Sequence, residues 1–156
     1  AGELFKMMAN VNLVHVPYHG DAPALTDLVG GHVLVMFDLM SASIGFIRAG
    51  ELRALAVTTA NRSEVLPKLP TVAEFLPGYE ASSWHGLAAP RNTPSEIIDT
   101  LNRESNAGFA DSKFKARLVD FGGTPLAGSP TEFGKFIVEE ITKWAKVIKL
   151  ANIKAG

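Results

Sequence analysis

HVLVMFD (residues 32–38) limits the folds open to this chain more than any other stretch. Its near-continuous apolar run fits a strand buried on both faces, the pattern of a parallel sheet covered by helices. Amphipathic segments stand on either side of it. Upstream, APALTDLVGG groups Leu25, Leu28 and Val29 and stops at Gly30-Gly31. Downstream, residues 41–49 turn Ile44 and Ile47 inward and stop at Gly50. Two further β-rich runs, VNLVHVPY and LRALAVTT, and a first helix with Leu4, Met7 and Met8 on one face complete an α-β-α-β-α-β order. That order predicts an α/β fold with a small parallel sheet, helices on both faces and right-handed crossovers.

The rest of the chain is different in character. NRSEVLPKLPTVAEFLPGYEASSW holds three prolines and one short helix, where Thr71 and Glu74 form a capping box. SSWHGLAAP reads as a strand. The last third is mostly helical, and TPSE (residues 93–96) and SPTE (residues 129–132) repeat one start signal: a hydroxyl cap, Pro at the first helical position and Glu at the third. The second opens a long helix carrying Phe133, Phe136, Ile137, Ile141, Trp144, Val147 and Ile148. Between the two, residues 111–121 form a helix stopped at Gly122-Gly123, followed by a short strand at 124–126.

Composition narrows the function. With 156 residues, 47% of them hydrophobic and 20% charged, the chain can bury a core in one domain or two small lobes. A net charge of −1 argues against a nucleic-acid surface. Residues 1–83 carry −3 and residues 84–156 carry +2, a difference that a solvated helical face accounts for. The absence of cysteine removes disulfides, thiolate metal sites and cysteine nucleophiles. No apolar run is long enough to span a bilayer, and no basic-then-apolar leader opens the chain.

Candidate chemistry centres on VPYHGDAPALTDLVGG (residues 16–31). A helix start offers unpaired N–H groups and about half a positive charge, which favours an anion. Asp21 is positioned to cap that helix itself, and a plain connector is the simpler reading of the turn. Asp38, Ser41 and Ser43 follow a buried strand, where the strand ends of open α/β sheets face a ligand crevice. Ser41 as the cap of the next helix is an equally open reading. Thr58 and Thr59 end the third strand in the same way, with turn satisfaction the simpler role. Of the histidines, His19 lies in the turn and is a ligand candidate, His15 is expected to be packed and His32 exposed; none has metal-ligand spacing. Without a G-x-S-x-G elbow, Ser43 or Ser83 with His85 and Asp38 is no better than a chance triad. Phosphate-loop and dinucleotide motifs are absent.

VHVPYHGDAPALTDLVGGHV, VMFD, IRAGELRALAVTTANRS, LPTVAEFLPGYEASSWHGLAAPRNTP and SPTEFGKFIVEEITKWAKVIKLANIK together resemble the tripartite tricarboxylate transporter receptors, the Bug or TctC-like extracytoplasmic solute-binding proteins. The resemblance runs over essentially the whole chain. It implies a type II periplasmic-binding-protein (Venus flytrap) fold, of which this chain matches the C-terminal half. Residues 1–82 would be the second lobe, and residues 83–156 the crossover strand and C-terminal helices of the first. It also implies capture of a small carboxylate or dicarboxylate in the periplasm by loop amides and bridging waters. There would be no catalysis, cofactor or metal, and the ligand would pass to membrane transporter subunits. Carried onto this sequence, the contacts are Tyr18, His19, Gly20, Asp21, Ala22, Pro23, Ala24, Asp38 and Ser41. The chain departs from the family pattern at Leu34, where Asp is usual, at Leu39, where Asn is common, and at Asp21, where a small residue is frequent. A lone half cannot enclose a ligand. Its first-lobe segments, with Phe133, Phe136, Ile137 and Trp144 exposed, are expected to make a homodimer. A truncated, ligand-free oligomerising module is the alternative reading.

Overall fold

The computed structural model describes residues 1–153. It contains helices α1 (Gly2–Ala9), α2 (Asp21–Val29), α3 (Met40–Arg48), α4 (Ser95–Ala110), α5 (Ser112–Asp120) and α6 (Pro130–Leu150), with a 3-10 turn at Val72–Glu74. The chain divides into two compact units, Ala1–Ser83 and Trp84–Gly156.

In the first unit the buried side chains are Ala24 and Leu25 of α2, Ile44 of α3, and Val57, Thr71, Tyr79 and Ala81 from the connecting segments. Phe5 gives α1 its aromatic hold. Its ring lies 5.6 Å from Phe37 and 6.0 Å, edge-on, from Tyr79. Tyr79 is the most deeply buried side chain, and its hydroxyl donates to the Ala1 carbonyl at 3.2 Å. Burial pushes its phenol up to about 12. The capping box read at Thr71 and Glu74 is present, and Arg62 grips Glu74 through both carboxylate oxygens at 2.8 and 2.6 Å.

The expected sheet is absent among the described residues. Segments 11–18, 35–39 and 53–58 run without helix but form no ladder. One parallel bridge, Val57 to Thr71, stands alone, extended by Ala81 N–H donating to Thr58 O at 2.9 Å. Apolar, β-branched sequence favours extended backbone, but a strand also needs a partner backbone about 4.8 Å away along its length. These segments lack one. His15 is accordingly exposed rather than packed, as is His32.

In the second unit, α6 begins as the sequence predicts. Ser129 and Glu132 form a full capping box with Pro130 in the first turn. α4 begins differently: Pro94 is its N-cap, because the Thr93 hydroxyl is turned back to the Pro90 carbonyl at 2.8 Å. Asp111 caps α5 by accepting from Phe114 N–H at 2.8 Å. Residues 124–126 and the SSWHGLAAP segment are unpaired rather than strands. Asn106 fixes the entry to α6, exchanging two bonds with the Gly128 backbone at 3.0 and 3.2 Å. Phe133 and Phe136 are half-buried, not exposed, because Trp84 meets both rings edge-on at 5.6 and 5.3 Å. Trp144 and Ile137 are half-buried too. The exposed apolar stripe of α6 is another one: Val138, Ile141, Ala145 and Ile148.

Candidate functional site

α2 starts from a glycine because its entry geometry requires one. Gly20 is the N-cap at φ 110° and ψ 175°, a region that side-chain-bearing residues scarcely enter. Asp21, expected as the cap, is instead the first helical residue, and no side chain caps α2. Its negative charge still favours the positive helix end. Helix geometry leaves the first four N–H positions without an intrahelical acceptor. Pro23 occupies the last of these and has no N–H, so the open donors are Gly20, Asp21 and Ala22. His19, Gly20, Asp21, Ala22 and Pro23 are exposed, while Ala24 is buried in the core and anchors the turn from beneath.

α3 packs against α2. Its N-cap is Leu39, again without a side-chain cap, so Ser41 is not the cap but lies exposed within the first turn. The Ser43 hydroxyl donates to Leu39 O at 3.1 Å. Asp38 immediately precedes this helix start. Both its carboxylate oxygens are closed off from solvent, and neither has a hydrogen bond of good geometry. Burial holds the Asp38 carboxyl above its usual range, and the charge of Asp21 adds to this against the weaker pull of Leu39 N–H and Ser43. Asp21 and Asp38 are therefore close enough to sense each other. α2 and α3 thus both start without a side-chain cap, each with an acid beside its start.

Tyr18 is half-buried beside α2. Its hydroxyl donates to the Asp27 carboxylate at 2.7 Å, a bond that raises the phenol's pKa. Asp27 was not legible as a site residue. It sits between Thr26 and Leu28 on α2, and no spacing rule pairs it with a residue nine positions earlier. Thr58 and Thr59 take the simpler role: the Thr58 carbonyl accepts from Ala81, and the Thr59 hydroxyl donates to Asn61 O at 2.7 Å. Among the described residues no group of three or more metal-ligating side chains comes together.

Residues 1–153 match the family described as "Tripartite tricarboxylate transporter family receptor". The chain belongs to this family of receptors. A relative from Pseudomonas sp. strain P51, the "UPF0065 protein in tcbD-tcbE intergenic region", is 38% identical over the whole chain and 47% of its own length. The solved "R. palustris Rpa4515 with adipate" is 44% identical with a TM-score of 0.87, over 97% of this chain and 51% of that one. The "periplasmic binding protein BugD" is 35% identical with a TM-score of 0.80, over 98% and 52%. This chain thus spans about half the length of these three proteins. Its fold is that of the corresponding half of these solute-binding proteins, which are not enzymes.

Proposed function

We propose that the chain is one jaw of a periplasmic receptor that captures a small dicarboxylate at the start of α2. Residues 1–82 then act as the ligand-binding lobe, and residues 83–156 as the crossover and C-terminal helices of the other lobe. The observation that carries this reading is the uncapped α2 start, where Gly20, Asp21 and Ala22 are exposed and their N–H groups have no intrahelical acceptor. It is supported by the similarity to a receptor solved with adipate. Asp38 and Ser41 would border the same ligand at the start of α3, and delivery would be to membrane subunits of the tripartite system.

Asp21 opposes an incoming dianion by like charge. Titration calorimetry with adipate, succinate, malate and benzoate should give saturable heat for a dicarboxylate, and Asp21→Asn should tighten it about 3- to 10-fold. A flat response across the panel from both forms overturns the reading.

A second reading, an oligomerising module without a ligand, is favoured by one observation: the exposed Val138, Ile141, Ala145 and Ile148 stripe of α6. Under it the chain forms a homodimer, and its mass rises with concentration while no acid binds.

A further inference from the structure

We propose that Asp27 is a positioning residue for the carboxylate site: by holding the Tyr18 hydroxyl it fixes the 18–22 turn so that its amides face one point. The inference rests on the dicarboxylate reading above. Three observations support it. The Tyr18–Asp27 bond, at 2.7 Å, joins the segment entering α2 to the second turn of that helix. Between the two lies Gly20, whose φ of 110° gives the turn a backbone with no side chain to restrict it, and a Cβ placed there would meet nothing within 4 Å. Asp27 also anchors the exit from α2: its carbonyl accepts from His32 N–H at 2.8 Å and Val33 N–H at 3.4 Å. One residue thus ties down both connections of α2, by its side chain on one side and its backbone on the other.

A hydrogen bond to a charged acceptor is among the stronger side-chain bonds, and the carboxylate of Asp27 accepts all that the Tyr18 hydroxyl can donate. The hydroxyl is engaged with the helix and not offered to a ligand. A turn released from this strap samples other conformations, and ordering it again on binding weakens affinity.

The test uses the whole chain with Tyr18→Phe, Asp27→Ala, their combination and Asp27→Asn. Two readouts are needed: adipate affinity by calorimetry, and amide hydrogen exchange without ligand at residues 24–26, whose N–H groups are the first bonded within α2. Both single variants should weaken adipate binding about 5- to 10-fold and speed exchange at 24–26. The double variant should be no worse than the worse single one. Asp27→Asn, which keeps an acceptor oxygen, should stay within about 2-fold of the unsubstituted chain. Far-UV circular dichroism confirms that each variant is folded. Weakening by Tyr18→Phe alone makes the hydroxyl a direct ligand contact and overturns the inference. Unchanged exchange in both single variants overturns it whatever the acid does. If no acid binds the unsubstituted chain while exchange still quickens in both, the strap stands and the dicarboxylate reading falls.

Discussion

Gly86 shows how a single residue can be committed by its neighbour. A Cβ built there would lie 2.7 Å from Cε1 of Phe133, and Trp84 stacks edge-on against that same ring and limits its retreat. Gly86→Ala should therefore cost about 1–3 kcal/mol of stability, seen as a lower denaturant midpoint. Combining it with Phe133→Leu should recover part of the loss. Tyr79 makes a prediction about alkali. Its phenol is raised to about 12 from an ordinary 10, so folding favours the protonated form. The contribution is complete below pH 10 and disappears as pH rises through 12. Tyr79→Phe should flatten the fall in unfolding temperature over that range. At this scale the sequence was partly legible. Gly20, Asp21, Ala22 and Pro23 stand exposed at a helix start as the local pattern suggests. Asp27 and Phe5 were hidden because their partners, Tyr18 for one and Phe37 and Tyr79 for the other, are chosen by tertiary packing.

Helix starts were the most readable elements, since a cap is decided within four residues. SPTE behaved as written, and TPSE did not, because Thr93 found a nearer acceptor in Pro90 O. Within α6 a local ion pair adds a dependence on pH. Burial alone would raise the Glu140 carboxyl, but bonds from Lys143 Nζ at 2.9 Å and Trp144 Nε1 at 2.8 Å prevail and hold it low. A lowered folded value means that the stabilisation is complete above the ordinary glutamate value of 4.5 and is lost as pH falls below it. Thermal unfolding followed by tryptophan fluorescence should fall more steeply between pH 5 and pH 3 in the unsubstituted chain than in Glu140→Gln (about that window). Ser129→Ala, which removes the cap of the same helix, should cost about 1 kcal/mol above pH 5 and less as Glu132, whose carboxyl Ser129 holds low, becomes protonated.

For the whole molecule, the α/β order was legible in its helices but not in its pairing. Apolar runs report where a chain is extended; they cannot say which backbone lies alongside. The exposed α6 stripe bears on assembly. If two copies meet there, Ile141→Lys should hold the chain as a monomer in light scattering at concentrations where the unsubstituted chain dimerises. An unchanged mass would remove α6 from the interface. The unpaired segment 33–39 has a different consequence. VLVMF is apolar, free of proline and uncharged up to Asp38, and Leu34 is 93% exposed. Such a run is a seed for stacked cross-β fibrils. Warm storage of concentrated protein should therefore raise thioflavin fluorescence with a lag. Leu34→Asp puts a charge inside the run and should lengthen that lag, acting as a gatekeeper against fibres.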